Sequence, residues 1–234
     1  TICSGGAYLN PSYIDLFKKY GITILQGYGM TECAPVISTN CNSAKKDGSI
    51  GRCMPNCEAK IVDERGGEAP RGDIGELAVK GRGVMLCYYK NPEATAEILK
   101  DGWLYTGDMA RMDGDGFIYL VDRKKDVVIS GGENLYPVQI EDFLRRFDKI
   151  KDVAVIGLPD PRLGEIAAAV IEIKEGISCT EEEILEFCKE LPRYKRPRRI
   201  IFAPVPRNPT GKIEKPVLRE RYCHGRLVEE QINS

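Results

Sequence analysis

The first 30 residues alternate between short apolar runs and one amphipathic stretch, a pattern that predicts a β-α-β unit. An apolar run at residues 1–3 comes before a helix that Asn10 is expected to cap. Gly21 ends this helix, and residues 22–25 are predicted as a short buried strand. That strand is expected to lead into a turn at Gly27-Tyr28-Gly29.

From about residue 40 to residue 121 the pattern changes to short apolar runs separated by glycines. This spacing predicts a small, mostly antiparallel sheet or barrel. The clearest strands are 59–62, 74–79 and 117–121. One helix interrupts them, with Asn91 as its N-cap, Pro92 at its first position and Leu99 at its end.

A charged segment at 122–125 is predicted as a linker, which gives two domains, 1–122 and 123–234. The second domain has the pattern of an α+β module. Its expected strands are 127–129, 153–157, 167–174 and 199–202. One helix begins at Pro137 and the next at a capping box, Thr180-Glu181-Glu182-Glu183. Their apolar faces are expected to carry Ile140, Phe143, Leu144 and Phe147 in the first, and Ile184, Leu185, Cys188 and Leu191 in the second. Residues 225–234 are expected to form a helical or frayed tail.

Composition narrows the classes of partner. The chain is 42% hydrophobic and 29% charged, as in an ordinary globular protein, and its 34 basic and 35 acidic residues leave a net charge of −1. This balance gives no field that would attract nucleic acid, and no apolar run approaches the roughly 18 residues of a transmembrane helix. Since Thr1 stands where an initiator methionine would be, we expect a piece of a longer protein.

The nine cysteines are an odd number without paired C-x-x-C spacing. Cys53 and Cys57 are the closest pair, with Cys41 nearby, while the sole histidine, His224, is remote. A thiol-bound metal is therefore disfavoured. We expect reduced, mostly buried thiols, which is typical of a cytoplasmic protein.

Several short motifs carry candidate chemistry. In chain order they are Ser4-Gly5-Gly6-Ala7, Gly27-Tyr28-Gly29-Met30-Thr31-Glu32, Tyr105-Thr106-Gly107-Asp108, Asp122-Arg123-Lys124-Lys125-Asp126, Gly131-Gly132-Glu133-Asn134-Leu135-Tyr136-Pro137, and 206–212, which ends in Pro-Thr-Gly-Lys. Each has a structural alternative when taken alone: an ordinary turn, a turn aspartate, a surface lysine or a Gly-Gly loop. Their combination and order are far more specific than any one of them.

Taken together, the motifs resemble the adenylate-forming (AMP-binding) superfamily, which includes acyl-CoA synthetases, aryl-CoA ligases, firefly-luciferase-like enzymes and peptide-synthetase adenylation domains. The resemblance covers essentially the whole chain. It implies an α/β and α+β fold: the end of a large N-terminal domain, with a β-α-β unit and a small β-barrel-like subdomain, followed by a small mobile α+β lid. It also implies that the Thr/Ser/Gly-rich phosphate loop belongs to a preceding part, so the 234 residues alone are expected to be inactive.

The chemistry of the motif residues agrees with adenylation, in which a carboxylate meets a polyphosphate. Lys212 offers a compact positive charge on a flexible stem, and Thr31 a hydroxyl for the α-phosphate. Tyr28 offers a flat face for adenine, and Glu32 a carboxylate for Mg²⁺. Asp108 offers two acceptor oxygens to the ribose diol. The resemblance adds a further set of ATP-binding and AMP-binding residues: Gly5, Gly6, Ala7, Gly27, Gly29, Met30 and Arg123.

The resemblance further implies a rotation between two half-reactions. Lys125 stands at the hinge position, two residues after Arg123. After adenylation the lid would carry Lys212 away and bring Gly131, Gly132 and Glu133 to the site. Glycines suit a thin pantetheine arm of coenzyme A, because they let it approach the backbone closely.

The favoured interpretation is therefore the C-terminal portion of an acyl-CoA synthetase that uses ATP, coenzyme A and a fatty or aryl acid. A luciferase-like enzyme and an adenylation domain remain open. So does a chain of a different class, either a non-catalytic module or a subunit that needs a separate N-terminal partner. The basic stretch 193–199 is expected to be a solvated face, with a contact to the CoA 3′-phosphate as the secondary possibility.

Overall fold

The structure, a computed structural model, describes residues 1–6, 9 and 11–223. Four features of the sequence analysis lie outside these residues: Ala7, the proposed cap Asn10, His224 and the tail 225–234. The chain divides into two compact units, Thr1–Lys124 and a second that begins at Lys125.

The first unit opens with a sheet of four strands in the order β1-β2-β3-β4. Its elements are β1 (Ile2–Ser4), α1 (Pro11–Lys19), β2 (Ile24–Gly29), β3 (Val36–Thr39) and β4 (Arg52–Cys53). The strands β1 and β2 are parallel, with Ile2 opposite Ile24, which confirms the β-α-β unit. The next two pairings are antiparallel.

The turn expected at Gly27-Tyr28-Gly29 was wrong, because β2 continues through Gly29 and pairs with β3. The glycines serve close backbone packing instead. A Cβ atom on Gly29 would lie 1.8 Å from the carbonyl oxygen of Pro35, so no larger residue fits there.

The second sheet of this unit is antiparallel and has the order β5-β6-β8-β7, with β9 also paired to β8. Its elements are β5 (Cys57–Val62), β6 (Gly75–Gly81), α2 (Pro92–Ile98), β7 (Leu99–Lys100), β8 (Trp103–Met112) and β9 (Ile118–Arg123). The three strands predicted here are confirmed. The N-cap is confirmed too, because the Asn91 side chain accepts a hydrogen bond from the Ala94 amide.

Two features of this sheet differ from prediction. The ten-residue strand β8 was not predicted, although it carries Asp108. The linker expected at 122–125 was partly wrong, because Asp122 and Arg123 end β9 and Lys124–Asp126 form a short 3₁₀ turn. Arg123 lies opposite Asp108 in the β8/β9 register, so ladder pairing extends the strand into the charged segment.

The second unit is an α+β module. Its elements are β10 (Val128–Ser130), β11 (Glu133–Leu135), α3 (Pro137–Leu144), β12 (Ile150–Asp160), β13 (Gly164–Ile173), α4 (Glu181–Phe187), β14 (Arg199–Phe202) and α5 (Lys215–Cys223). The sheet has the order β11-β10-β13-β12, and β14 joins β13 in parallel. The capping box at Thr180 is confirmed in both of its hydrogen bonds.

Alternate residues of β12 face two different cores. Val153 and Val155 pack in the cluster that includes α3 and α4, while Ala154 and Ile156 pack in the cluster that includes Leu218 of α5. The sheet is therefore covered on both faces, which explains why β12 and β13 are almost continuously apolar.

Three expectations about this unit and the thiols were wrong. Helix α3 ends at Leu144, before Phe147, and α4 passes at Cys188 into a 3₁₀ turn that ends before Leu191. Both expected helices end early because a tight turn follows each. All nine cysteines are free, but only Cys33 and Cys188 are buried. Within the described residues, no helix is long and apolar enough to cross a membrane.

Candidate active site

Three of the predicted site residues meet in the first unit, although they come from three different strands. The Tyr28 hydroxyl of β2 donates a short hydrogen bond to Oδ2 of Asp108 in β8. The Nε of Arg123 in β9 lies 2.7 Å from the other oxygen, Oδ1. Asp108 is buried, with 8% of its surface exposed, while the Arg123 side chain is mostly exposed. The result is a carboxylate held from both sides at the surface of the unit.

The backbone around Asp108 is held by its neighbours. The Thr106 hydroxyl donates to the Leu77 carbonyl at 2.8 Å and accepts the Asp108 amide at 3.2 Å. Gly107 between them has a φ of +71°, which a side chain would disfavour, and its amide donates to Oε1 of Glu76 at 3.1 Å. The motif Thr-Gly-Asp is therefore a local distortion of β8 that fixes the aspartate.

The environment of Tyr28 keeps its hydroxyl protonated. Burial, followed by the charge of Asp108, raises the pKa of the Tyr28 phenol well above its usual range. Its ring also packs against the apolar core of the unit. Tyr28 is thus a fixed hydrogen-bond donor to Asp108, which the sequence motif alone did not reveal.

Thr31 and Glu32 lie in a 3₁₀ turn, Thr31–Cys33, directly after β2. The hydroxyl of Tyr88 donates to Oε1 of Glu32 at 2.7 Å. This hydrogen bond is the largest cause of a raised pKa of the Tyr88 phenol. No feature of the sequence pointed to Tyr88.

Lys212 lies in a tight loop that Asn208 organises. The side-chain Oδ1 of Asn208 accepts hydrogen bonds from the Thr210 amide at 3.0 Å, the Thr210 hydroxyl at 2.8 Å and the Lys212 amide at 2.9 Å. The backbone amide of Asn208 in turn donates to the Lys212 carbonyl at 2.9 Å. Gly211 has a φ of +83°, so the turn needs a glycine there. Lys212 itself is exposed.

Ion pairs hold both ends of this loop to other elements of the second unit. Before the loop, Arg207 makes a two-point contact with Asp152, at 2.7 Å and 3.0 Å, and also donates to the Gly211 carbonyl. After the loop, Nζ of Lys215 lies 2.8 Å from Oε1 of Glu141, and both side chains are buried. The loop that presents Lys212 is therefore anchored to β12 and α3.

Gly131 and Gly132 form the two-residue turn of the β10/β11 hairpin, where Ser130 pairs with Glu133. Both have positive φ, +61° and +87°, the combination that such hairpins require and glycine best provides. Glu133 is exposed. Lys125 is also exposed, in the 3₁₀ turn where the two units meet in sequence.

Two family models match the chain. The model "AMP-binding enzyme" matches residues 1–89, and "AMP-binding enzyme C-terminal domain" matches residues 139–212. The chain belongs to the AMP-binding enzyme family. The two matches contain the Tyr28 and Lys212 motifs, so the assignment rests on both units.

Named relatives of this AMP-binding chain include ligases for different acids. It is 44% identical to a long-chain-fatty-acid–CoA ligase of Escherichia coli O6:H1, over 87% of this chain and 36% of that protein. It is 40% identical to a feruloyl-CoA synthase of Amycolatopsis sp, over 95% of this chain and 46% of that protein. Among solved structures, ATP-bound MatB from Rhodopseudomonas palustris matches with a TM-score of 0.89 and 35% identity, over 94% of this chain and 45% of that one. The chain spans less than half the length of these relatives.

The motifs predicted to bind AMP at the start of the chain lie in or next to β2. Gly5 packs closely on β2, since a Cβ there would lie 3.1 Å from the Gly27 carbonyl oxygen, and Gly6 has a φ of +84°. Met30 packs against the same core as Tyr28. Gly5 therefore allows close backbone packing, and Gly6 allows a positive φ.

The structure therefore brings together Tyr28, Asp108 and Arg123, and keeps Lys212 with the Gly131-Gly132 hairpin in the second unit. No supporting role was predicted from the sequence for five residues, although three of them lie within the motifs: Tyr88, Thr106, Arg207, Asn208 and Lys215. Asn208 had a readable signal, because an Asn two residues before a Thr-Gly step favours a side-chain-to-backbone turn. For Tyr88 and Lys215 the partners lie far away in sequence. Thr106 and Arg207 also have a partner nearby, but their contacts with Leu77 and Asp152 are distant in sequence, so no local pattern could identify those contacts.

Proposed function

We propose that the full-length protein containing this chain is an AMP-forming acid–thiol ligase, an acyl-CoA synthetase. The observation that carries the proposal is the meeting of Tyr28, Asp108 and Arg123 from three strands. A buried carboxylate that is fixed at both oxygens, and that can accept several hydrogen bonds, suits recognition of a vicinal diol such as that of a ribose. The family assignment and the names of the relatives support the same activity.

In the first step, a carboxylate oxygen of the acid attacks the α-phosphorus of ATP, and the bond to pyrophosphate breaks. Two anions meet, so positive charge at the reacting atoms is the main requirement. Lys212 supplies it from the tip of a loop that Asn208 organises. Because the backbone of that loop is already ordered, the entropy lost when the ammonium group reaches the substrates is confined to the lysine side chain.

Residues of the first unit hold the nucleotide. Asp108 accepts hydrogen bonds from the ribose hydroxyls, while Tyr28 and Arg123 fix its carboxylate. The face of Tyr28 contacts adenine, and the Thr31 hydroxyl donates to the α-phosphate. The Gly5-Gly6 and Gly27 to Met30 segments offer the backbone surface for the nucleotide.

Mg²⁺ fits this site through Glu32. A single carboxylate suits Mg²⁺, which uses one or two protein carboxylates and completes its shell with phosphate and water. When bound, the ion supplies positive charge to the polyphosphate. Glu32 would hold the ion, and the Thr31 hydroxyl would remain available for the α-phosphate.

In the second step, the thiolate sulfur of coenzyme A attacks the acyl carbon of the adenylate, and the bond to AMP breaks. We assign the change between steps to a rotation at Lys125, which lies in the 3₁₀ turn between the units. Gly131, Gly132 and Glu133 then line the path of the pantetheine arm. The two turn residues, Gly131 and Gly132, are exposed and have no side chains that would obstruct a thin substrate.

The acid is a fatty or aryl acid, since the named relatives use both classes. The 234 residues contain no glycine-rich triphosphate loop, so we expect them to be inactive when tested by themselves.

The test uses the full-length enzyme with ATP, coenzyme A and a panel of fatty and aryl acids. Pyrophosphate release measures adenylation, and transfer from supplied acyl-AMP to coenzyme A measures the second step. Lys212→Ala should slow adenylation by about 10²-fold or more and transfer far less, because only adenylation opposes two anions. Lys174→Ala, a change of another exposed lysine in the same unit, is the matched control.

Two outcomes would contradict the proposal. One is that no acid of the panel yields acyl-CoA. The other is that Lys212→Ala slows both half-reactions equally, which would make Lys212 a structural residue.

A further inference from the structure

A hydrogen bond joins the side chains of Tyr88 and Glu32, and the proposed reaction steps do not require it. Tyr88 lies between β6 and α2, 56 positions after Glu32, yet its hydroxyl donates to Oε1 of Glu32 at 2.7 Å. Among the described residues, no hydrogen bond reaches the second oxygen, Oε2. One carboxylate oxygen is therefore held and the other is left for a ligand.

The backbone on both sides of this contact is also held. The Tyr88 amide donates to the Thr95 hydroxyl at 2.9 Å, and that hydroxyl donates to the Asn91 carbonyl at the first turn of α2. The Met85 amide donates to the Glu32 carbonyl at 2.8 Å. The contact thus joins two ordered segments, and the Glu32 side chain cannot change rotamer without losing a hydrogen bond to its charge.

The adjacent residue provides a contrast. Tyr89 is 86% exposed, and the ammonium nitrogen of Lys90 lies 5.2 Å from the centre of its ring. Two neighbouring tyrosines thus differ in one respect that bears on Glu32, which makes the second a matched control for the first.

We propose that Tyr88 is a positioning residue that holds Oε1 of Glu32 and so presents Oε2 to the divalent cation bound with ATP. The inference rests on the proposed function, in which Glu32 holds that cation. A carboxylate already fixed by a neutral donor loses less rotamer entropy when it binds the ion. Tyr88 does not contact the reacting atoms, so its effect should concern the cation and not the chemistry.

The test compares Tyr88→Phe with Tyr89→Phe in the full-length enzyme. Binding of Mn²⁺ in the presence of a non-hydrolysable ATP analogue is measured by electron paramagnetic resonance. Tyr88→Phe should weaken Mn²⁺ binding about 3- to 10-fold, the scale of one ordinary hydrogen bond, and Tyr89→Phe should not. The adenylation rate of Tyr88→Phe should return to that of the unaltered enzyme at saturating Mg²⁺.

A double substitution separates positioning from a purely structural role. In a Glu32→Gln background, Tyr88→Phe should have no further effect on Mn²⁺ binding, because the carboxylate it positions is gone. Unchanged Mn²⁺ binding in Tyr88→Phe would overturn the inference. So would a rate loss that saturating Mg²⁺ does not restore. Acyl-CoA formation by the unaltered enzyme is read separately, so failure of the proposed function is distinguished from failure of this inference.

Discussion

The buried ion pair between Lys215 and Glu141 permits a quantitative prediction. Lys215 begins α5 and is 7% exposed, and Glu141 of α3 is 3% exposed. Their charged atoms lie 2.8 Å apart. Lys215→Met removes one charge and leaves the Glu141 carboxylate buried with weaker support.

The magnitude follows from what remains around Glu141. Removing one partner of a buried pair typically costs about 3–5 kcal/mol. Here the Val155 amide still donates to Oε1 at 2.8 Å, and a nitrogen of Arg145 lies 3.8 Å from Oε2. We therefore expect a loss of about 2–4 kcal/mol in the local free energy of unfolding.

Hydrogen exchange of the full-length protein, followed by mass spectrometry, measures this loss. Peptides from β12 and α5 should exchange roughly 30- to 1,000-fold faster, because about 1.4 kcal/mol corresponds to a factor of ten. Peptides of the first unit should not change. Lys151→Met is the control, since Lys151 pairs with Glu172 at an exposed site.

A companion substitution tests the cause. Adding Glu141→Gln to Lys215→Met removes the unpaired charge and keeps an acceptor for the Val155 amide, so part of the lost protection should return. If Lys215→Met changes exchange no more than Lys151→Met does, the pair does not stabilise the unit and the reasoning is refuted.

Three further predictions concern ligand binding and the two half-reactions of the full-length enzyme. Tyr28→Phe removes the donor to Asp108 but keeps the ring, so the KM for ATP should rise about tenfold; an unchanged KM would exclude a role for this hydroxyl. Asn208→Ala should slow adenylation about tenfold, whereas Asn208→Asp, which keeps the acceptor, should retain most of the rate; equal losses in both would argue against preorganisation of the Lys212 loop. Lys125→Pro should spare adenylation and block transfer to coenzyme A, measured in single turnovers, because proline fixes φ at the proposed hinge; near-normal rates of both steps would place the rotation elsewhere.

Local sequence features predicted the parts of the fold that depend on nearby residues. The capping box at Thr180 and the Asn91 cap are confirmed, because each satisfies amides within three positions of itself. The strands β12 and β13 were also predicted from the sequence. Both faces of that sheet are covered, so the two strands are visible as apolar runs. The family resemblance rested on motifs of the same local kind.

Strand β8 was missed because two polar residues occupy buried positions in it. Residues 103–112 alternate between partly exposed and buried positions, and the buried set includes Thr106 and Asp108 among apolar side chains. A sequence pattern counts both as polar, so the alternation disappears. Their burial is possible only because Leu77, Tyr28 and Arg123 supply hydrogen-bonding or ionic partners.

The sequence by itself determined which chemical groups are available: an aromatic ring in β2 and a carboxylate shortly after it, an aspartate in a Thr-Gly-Asp step, and one lysine after a Pro-Thr-Gly turn. Only the tertiary structure decided which of them act together. Tyr28 and Asp108 are 80 positions apart, and Tyr88 and Glu32 are 56 positions apart. Such pairs form because β2, β8 and the segment before α2 are packed on one core, and the energy of that packing depends on the whole unit and not on any local pattern.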